Sequence, residues 1–138
     1  MVDVTGKAVT TRRAVAQAFV RLTGAHLSAM ENHPKGDVIF VAHLAGIQAA
    51  KRTSELIPLC HTIPLSHVSL KLTREESGIR VTAEATAEAK TGVEMEAITA
   101  ATVAALTLYD MLKAAGPEII IEQICLLEKT GGKNDYKR

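Results

Sequence analysis

Lys90-Thr91-Gly92-Val93-Glu94-Met95-Glu96-Ala97-Ile98-Thr99-Ala100-Ala101-Thr102-Val103-Ala104-Ala105-Leu106-Thr107-Leu108-Tyr109-Asp110-Met111-Leu112-Lys113 carries the strongest local signal in the chain. Thr91 followed three residues later by Glu94 has the form of a capping box. In that motif the hydroxyl accepts from a first-turn amide and the carboxylate reaches back to the cap residue's own N–H. Gly116 and Pro117 form a stop, because Gly takes a left-handed cap cheaply and Pro cannot continue the ladder. The pattern predicts a helix of about 24 residues, a rod about 36 Å long. Charge is confined to its ends: Glu94 and Glu96 at the start, Asp110 and Lys113 at the finish. Ala97, Ala100, Ala101, Ala104 and Ala105 are small enough to let a sheet or a second helix approach closely. A helix this apolar is expected to be covered on more than one side. Glu96, Thr99, Val103, Leu106, Asp110 and Lys113 recur at three- and four-residue steps and share one stripe, polar at both tips. Read locally, Glu94 is a cap and Asp110 with Lys113 a solvated pair.

Immediately before this helix, Val68, Leu70 and Leu72 alternate, Thr73 to Gly78 is polar, and Ile79, Val81, Ala83, Ala85, Ala87 and Ala89 alternate again, a hairpin pattern. Thr82, Glu84, Thr86 and Glu88 fall on the opposite face, which can meet water. After the helix, Glu118 to Glu128 is rich in Ile and Leu and reads as a last strand. Near the start, Ala14, Ala16, Ala18, Val20 and Leu22 alternate with Val15, Gln17, Phe19 and Arg21, so Arg13 to Leu22 is a strand. Thr23 to Met30 is a short helix, and Asp37 caps a longer one predicted from Val38 to about Leu56, stopped by Pro58. Strand, helix, strand, strand, helix, strand is the order of a split βαβ. The expected class is therefore α+β, a ferredoxin-like βαββαβ fold with an antiparallel sheet and helices on one face. Residues 1–9 are expected to form an arm and residues 129–138 a flexible basic tail, within a single domain spanning 1–138. No repeat or long linker divides it.

At 138 residues the chain can bury roughly two thirds of its unfolded surface, enough for a core without staples. A net charge of +1 gives no bulk attraction to polyanions, and two Phe, two Tyr and no Trp leave few platforms for stacking bases. Nucleic acid is not the expected partner. Cys60 and Cys125 are isolated thiols without metal spacing, which fits a reducing compartment. With no signal-peptide pattern and no apolar run read as membrane-spanning, the expected location is the cytoplasm and no membrane is involved.

The ionisable candidates cluster around connections and helix ends. Lys35 precedes a helix, His61 sits beside Cys60 in an irregular connection, and Lys129 and Lys133 flank a glycine pair suited to a phosphate. The spacing of a P-loop is absent, and taken alone Lys129 to Lys133 reads more readily as a solvated tail than as a phosphate site. Lys51 near a helix C-terminus complements the helix dipole. Cys60-His61 has no second ligand pair at zinc-like spacing, and His61 fits a hydrogen-bonding or proton-carrying role. His26, His33, His43 and His67 read as surface or satisfied polar residues. Glu94 and Asp110 lie 16 residues apart, about 24 Å along a helix axis. One small-molecule pocket in one chain cannot readily use both. Either one end is structural or each pocket takes one end from each of two subunits, as an antiparallel helix pair across a two-fold axis would allow. The second arrangement is favoured, since the helix is also too apolar for a lone subunit.

Met1-Val2-Asp3-Val4, Lys35-Gly36-Asp37-Val38, Ala45-Gly46-Ile47, Ala49-Ala50-Lys51, Leu56 to His61, Lys90 to Ala97, Leu106 to Lys113 and Lys129 to Lys133 together resemble the molybdenum-cofactor biosynthesis protein C family, the cyclic pyranopterin monophosphate synthases. The likeness covers nearly the whole chain. It departs at Thr62-Ile63, where the family usually has Pro-Leu, and at His43-Leu44, where Arg-Ile is common. The resemblance implies a homohexamer, a trimer of dimers, with sites at subunit interfaces and a small-molecule substrate. The implied reaction turns 3′,8-cyclo-7,8-dihydro-GTP into cyclic pyranopterin monophosphate with loss of pyrophosphate. It implies Asp110 as acid/base residue with Lys35 and Lys113 as partners. Leu59, Cys60, His61, Met95, Glu96, Glu94, Lys51 and Lys129 are implied in substrate binding, with Arg12 on phosphate. No tightly bound cofactor or protein-held metal is implied, though Mg²⁺ can accompany the triphosphate. The competing reading from another class is a non-catalytic ferredoxin-like module binding a small ligand or RNA.

Overall fold

A computed structural model describes residues 1–138. Five strands form one antiparallel sheet: β1 (Thr10–Arg21), β2 (His67–Glu75), β3 (Gly78–Ala89), β4 (Ile120–Thr130) and β5 (Tyr136–Lys137), in the order β2-β3-β1-β4-β5. The helices are α1 (Gly24–Ala29), α2 (Val38–Lys51), α3 (Thr53–Leu56) and α4 (Glu94–Leu112), followed by a 3₁₀ turn at Lys113–Ala115. The class is α+β and ferredoxin-like, with α2 and α4 side by side and α4 against β1, β3 and β4.

The alternation in β1 and β3 sets the inner face. Ala14, Ala16, Ala18, Ala83, Ala85 and Ala87 are fully buried, as are Ala97, Ala100, Ala101, Ala104 and Ala105 of α4. Small residues on both partners let the helix lie close to the sheet. Around the first turn of α4 the fully buried apolar residues are five alanines and Val93, with Ile63, Leu65, Ile98 and Leu126 packed against them. Farther along the helix Val20, Ile79, Val81, Leu108 and Leu112 thicken the core. On the outer face, Arg13 bridges two neighbouring strands, bonding Glu84 twice (2.7 and 2.9 Å) and Glu128 once (2.7 Å). Those bonds hold the Glu84 carboxyl below its usual range.

Several boundaries differ from expectation, each for a visible reason. The capping box is not formed: α4 starts at Glu94 with Val93 in the cap position and no side-chain cap. The Glu94 carboxylate instead packs over Gly92 and reaches Lys129. The helix is 19 residues, about 28 Å, and its last turn tightens to 3₁₀ before Gly116. The helix predicted to run to Leu56 breaks at Arg52, where Thr53 turns its hydroxyl back onto the Ala49 and Ala50 carbonyls (3.3 and 3.0 Å). The β2–β3 turn is only Glu76-Ser77, since Glu75 already pairs with Gly78. Residues 129–138 are no free tail. Lys129 and Thr130 complete β4, and β5 pairs back onto Glu128 and Lys129. Helix Glu94–Ala115 is, by length and composition, apolar enough to cross a membrane, contrary to the sequence reading, yet about half of it is buried inside this fold. That is the apolarity of a core helix.

Gly46 sits where α2 crosses α4. A Cβ there would meet Leu70 Cδ2, the Ala100 carbonyl (2.9 Å) and Ala104 Cβ (3.3 Å). Gly46→Val is expected to destabilise the fold by about 2–3 kcal/mol through overpacking, measured as a lower urea midpoint with an unchanged slope.

Candidate active site

The connection Leu59–Ile63, the N-terminal arm and the start of α4 enclose a recess of about 470 Å³. Leu59 adopts left-handed backbone (φ 66°), a conformation costing an L-residue about 1–2 kcal/mol. Its side chain stays open at the rim, and the Cys60 N–H donates to the Ile57 carbonyl (3.3 Å). By this irregular turn both Cys60 and His61 line the recess, where a regular strand would have sent one away. The Val2 carbonyl accepts from His61 Nε2 (2.8 Å), and the Thr5 carbonyl accepts from Lys90 Nζ (2.8 Å), so the arm is tied down over the site. Thr62, at the departure from the family pattern, donates its hydroxyl to Ser54 Oγ (3.2 Å), while Ile63 joins the wall.

Glu94, Met95 and Glu96 face this space from the first turn of α4. Glu96 is 3% exposed and enters none of the ion pairs. Burial first, and the nearby Glu94 charge second, push its carboxyl above the usual range. A carboxyl raised in this way gives up its proton less readily than a solvated one, the direction in which acid/base groups are tuned. Burial, with the Glu96 charge, also pushes the Cys60 thiol up. That is the reverse of what a thiolate nucleophile needs.

Next to this recess lies a basic hollow of about 250 Å³ that shares Lys7, Gly92 and Glu94 with it. Arg12, Lys129 and Lys133 line it. Lys129 Nζ donates to Glu94 Oε1 (3.0 Å), and Arg12 Nε to the Ala89 carbonyl (3.3 Å). Gly131 has φ +85°, and a Cβ there would strike the Thr11 carbonyl, so only Gly lets the β4–β5 turn close over this hollow. Since no side chain caps α4, its first amides remain for an anion or water. Lys7 lines the recess, the basic hollow and a third depression beside Lys90. It was not singled out from sequence, because the arm has no periodicity to mark it.

Two groups of candidates lie elsewhere. Asp110, at the far end of α4, bonds Lys113 Nζ (2.7 Å) and Lys35 Nζ (3.4 Å). Lys113 first, then Lys35, hold its carboxyl below the usual range, and Asp110 in turn raises Lys113. All three side chains are more than half exposed. Lys51 borders a different groove, with Ile47, Pro64 and His67, and is not brought into the recess. Leu59, Cys60, His61, Glu94, Met95 and Glu96 are thus gathered together, Arg12 and Lys129 adjoin them, and Lys35, Asp110 and Lys113 form a separate trio.

Fold and site define a ferredoxin-like α+β protein with a polar, thiol-bearing recess adjoining a basic hollow. The model of the MoaC family matches residues 1–132. The chain belongs to that family, and with it to molybdenum cofactor biosynthesis.

Proposed function

We propose that the chain is a cyclic pyranopterin monophosphate synthase, converting 3′,8-cyclo-7,8-dihydro-GTP to cyclic pyranopterin monophosphate with release of pyrophosphate. The observation that carries this reading is the pairing of a recess bearing the buried Glu96 carboxyl with a hollow bearing Lys7, Arg12, Lys129 and Lys133. The basic hollow suits a triphosphate. Incoming phosphate would take Lys129 from Glu94. As a hydroxyl of the substrate attacks the α-phosphorus, closes the cyclic phosphate and gives its proton to a base of the site, the α–β phosphoanhydride breaks, and the cations would offset the charge that grows on the departing pyrophosphate. The recess suits the ring system, with His61, Cys60 and Met95 as contacts and Glu96 able to hold or release a proton. A Mg²⁺ travelling with the triphosphate would be bound by phosphate oxygens, since no group of three or more His, Cys, Asp or Glu in the chain is arranged to hold an ion. No resident cofactor enters the scheme.

Asp110, Lys35 and Lys113 would join from another subunit. In a lone chain Asp110 is solvated, and Lys113 and Lys35 hold its carboxyl below the usual range, which leaves it a weak base and not yet a tuned acid. Coverage by a neighbour would strip water from the trio and strengthen its electrostatics. Phe40 and Leu44 on α2, one turn apart, and Leu106 on α4 are exposed apolar residues that such a neighbour would cover. A homohexamer built as a trimer of dimers in the cytoplasm accommodates this arrangement. Incubating the purified chain with the cyclic dihydro-GTP should yield one pyrophosphate per pterin product by mass spectrometry. Tight binding without turnover would instead establish the ligand-binding module, and an RNA shift at low salt would overturn both expectations about partners.

A further inference from the structure

Besides the Lys35 ammonium itself, one imidazole ties the loop that carries Lys35 to α4. His33-Pro34-Lys35-Gly36 forms a tight turn, with Gly36 N–H donating to the His33 carbonyl (2.9 Å) and Gly36 at φ +96°. Within it the Lys35 N–H donates to Nδ1 of His33 (3.2 Å), and Nε2 of the same ring lies 2.7 Å from the Met111 carbonyl. A backbone N–H can only donate and a carbonyl can only accept, so Nδ1 carries the lone pair and Nε2 the proton. The ring is a neutral imidazole fixed in one tautomer by both partners. Met111 follows Asp110 directly, and its carbonyl is among the last four of α4, which have no acceptor role inside the helix. One ring nitrogen therefore holds the backbone of Lys35 while the other holds the helix turn bearing Asp110 and Lys113.

We propose that His33 is a positioning residue for Lys35, stapling its loop to the C-terminal turn of α4 so that the Lys35 ammonium stays within reach of Asp110. This rests on the reading of Lys35, Asp110 and Lys113 as reacting groups. The Lys35 side chain is itself 63% exposed and meets Asp110 at 3.4 Å, so surrounding packing does little to hold it. On the far side of the loop, Asp37 fixes the start of α2 by accepting from the Phe40 N–H (3.0 Å). That bond locates the helix without locating Lys35 against α4. The staple supplies the missing constraint.

The test compares His33→Ala and His33→Asn in the wild-type and Lys35→Ala backgrounds, by turnover and by NMR titration of the Asp110 carboxyl. Asn can keep an acceptor for the Lys35 N–H but cannot span to Met111, so it separates order within the loop from anchorage to the helix. Both variants should lower kcat by about tenfold to a hundredfold, as a small misplacement does, with KM within about twofold. In the Lys35→Ala background the same changes should cost less than about twofold more, because His33 acts through Lys35. In substrate-free protein, His33→Ala should raise the Asp110 pKa in the same direction and to the same extent as Lys35→Ala. Equal losses in both backgrounds, a wild-type rate in His33→Asn, or an Asp110 titration unmoved by His33→Ala would overturn the proposal. Failure of the underlying functional reading looks different: Lys35→Ala then turns over like wild type, while the shared shift of Asp110 still reports whether the staple holds.

Discussion

Asp110→Ala is expected to remain folded and to form product at least about a thousandfold more slowly than wild type, the range in which a positioned acid/base group acts. Lys113→Ala should fall comparably. Retention of the fold follows from the geometry: Asp110 and Lys113 are 54% and 59% exposed, and their pair bridges nothing but one helical turn. Exposed pairs of this kind contribute little to stability. The loss should therefore appear in single-turnover rates with an unchanged circular dichroism melt. The two residues raise and lower each other's proton affinities, so the double variant should be scarcely slower than either single one. A wild-type-like rate in either single variant would remove that residue from the chemistry.

Mixing inactive chains gives the second large effect. Asp110→Ala and Glu96→Ala each spoil one end of α4, and the two ends are about 21 Å apart along the axis. If every site takes the Glu96 end from one subunit and the Asp110 end from another, random co-assembly of equal amounts leaves about a quarter of the sites intact. Activity should rise from near zero to about a quarter of the wild-type value after the chains are unfolded and refolded together. Mixing without subunit exchange should recover nothing. Absence of recovery in co-refolded oligomers would confine each site to a single chain and leave one of the two carboxyls without a catalytic part.

The fold was legible because its signals are periodic. Alternation from Ala14 to Leu22 and from Ile79 to Ala89 placed the two longest strands, and the apolar run after Glu94 placed the helix covering them. What escaped depended on partners distant in sequence. Thr91 and Glu94 satisfy the pattern of a capping box, but Lys129, brought alongside by β4, competes for the carboxylate. Lys129 to Lys133 looked like a loose tail because β5 is only two residues long and its pairing cannot be read locally. The site shows the same division. Cys60, His61, Met95 and Glu96 line one recess, whereas Lys7 has no local mark and Lys51, on its separate groove, is not gathered with them. The wide spacing of Glu94 and Asp110 was readable from helix rise alone. What lies next to Asp110 in an assembly is not encoded in any local pattern.

The bed of methyl groups beneath the first turn of α4 has a mechanical consequence. An alanine has no rotamer to exchange, so the five alanines of this layer leave it few ways to absorb a push from a ligand seated above it. Load applied at Glu94 would pass into the helix as a whole and emerge at Asp110. Where neighbouring sites draw on opposite tips of one helix, that stiff strut would let an occupied site bias the readiness of the next.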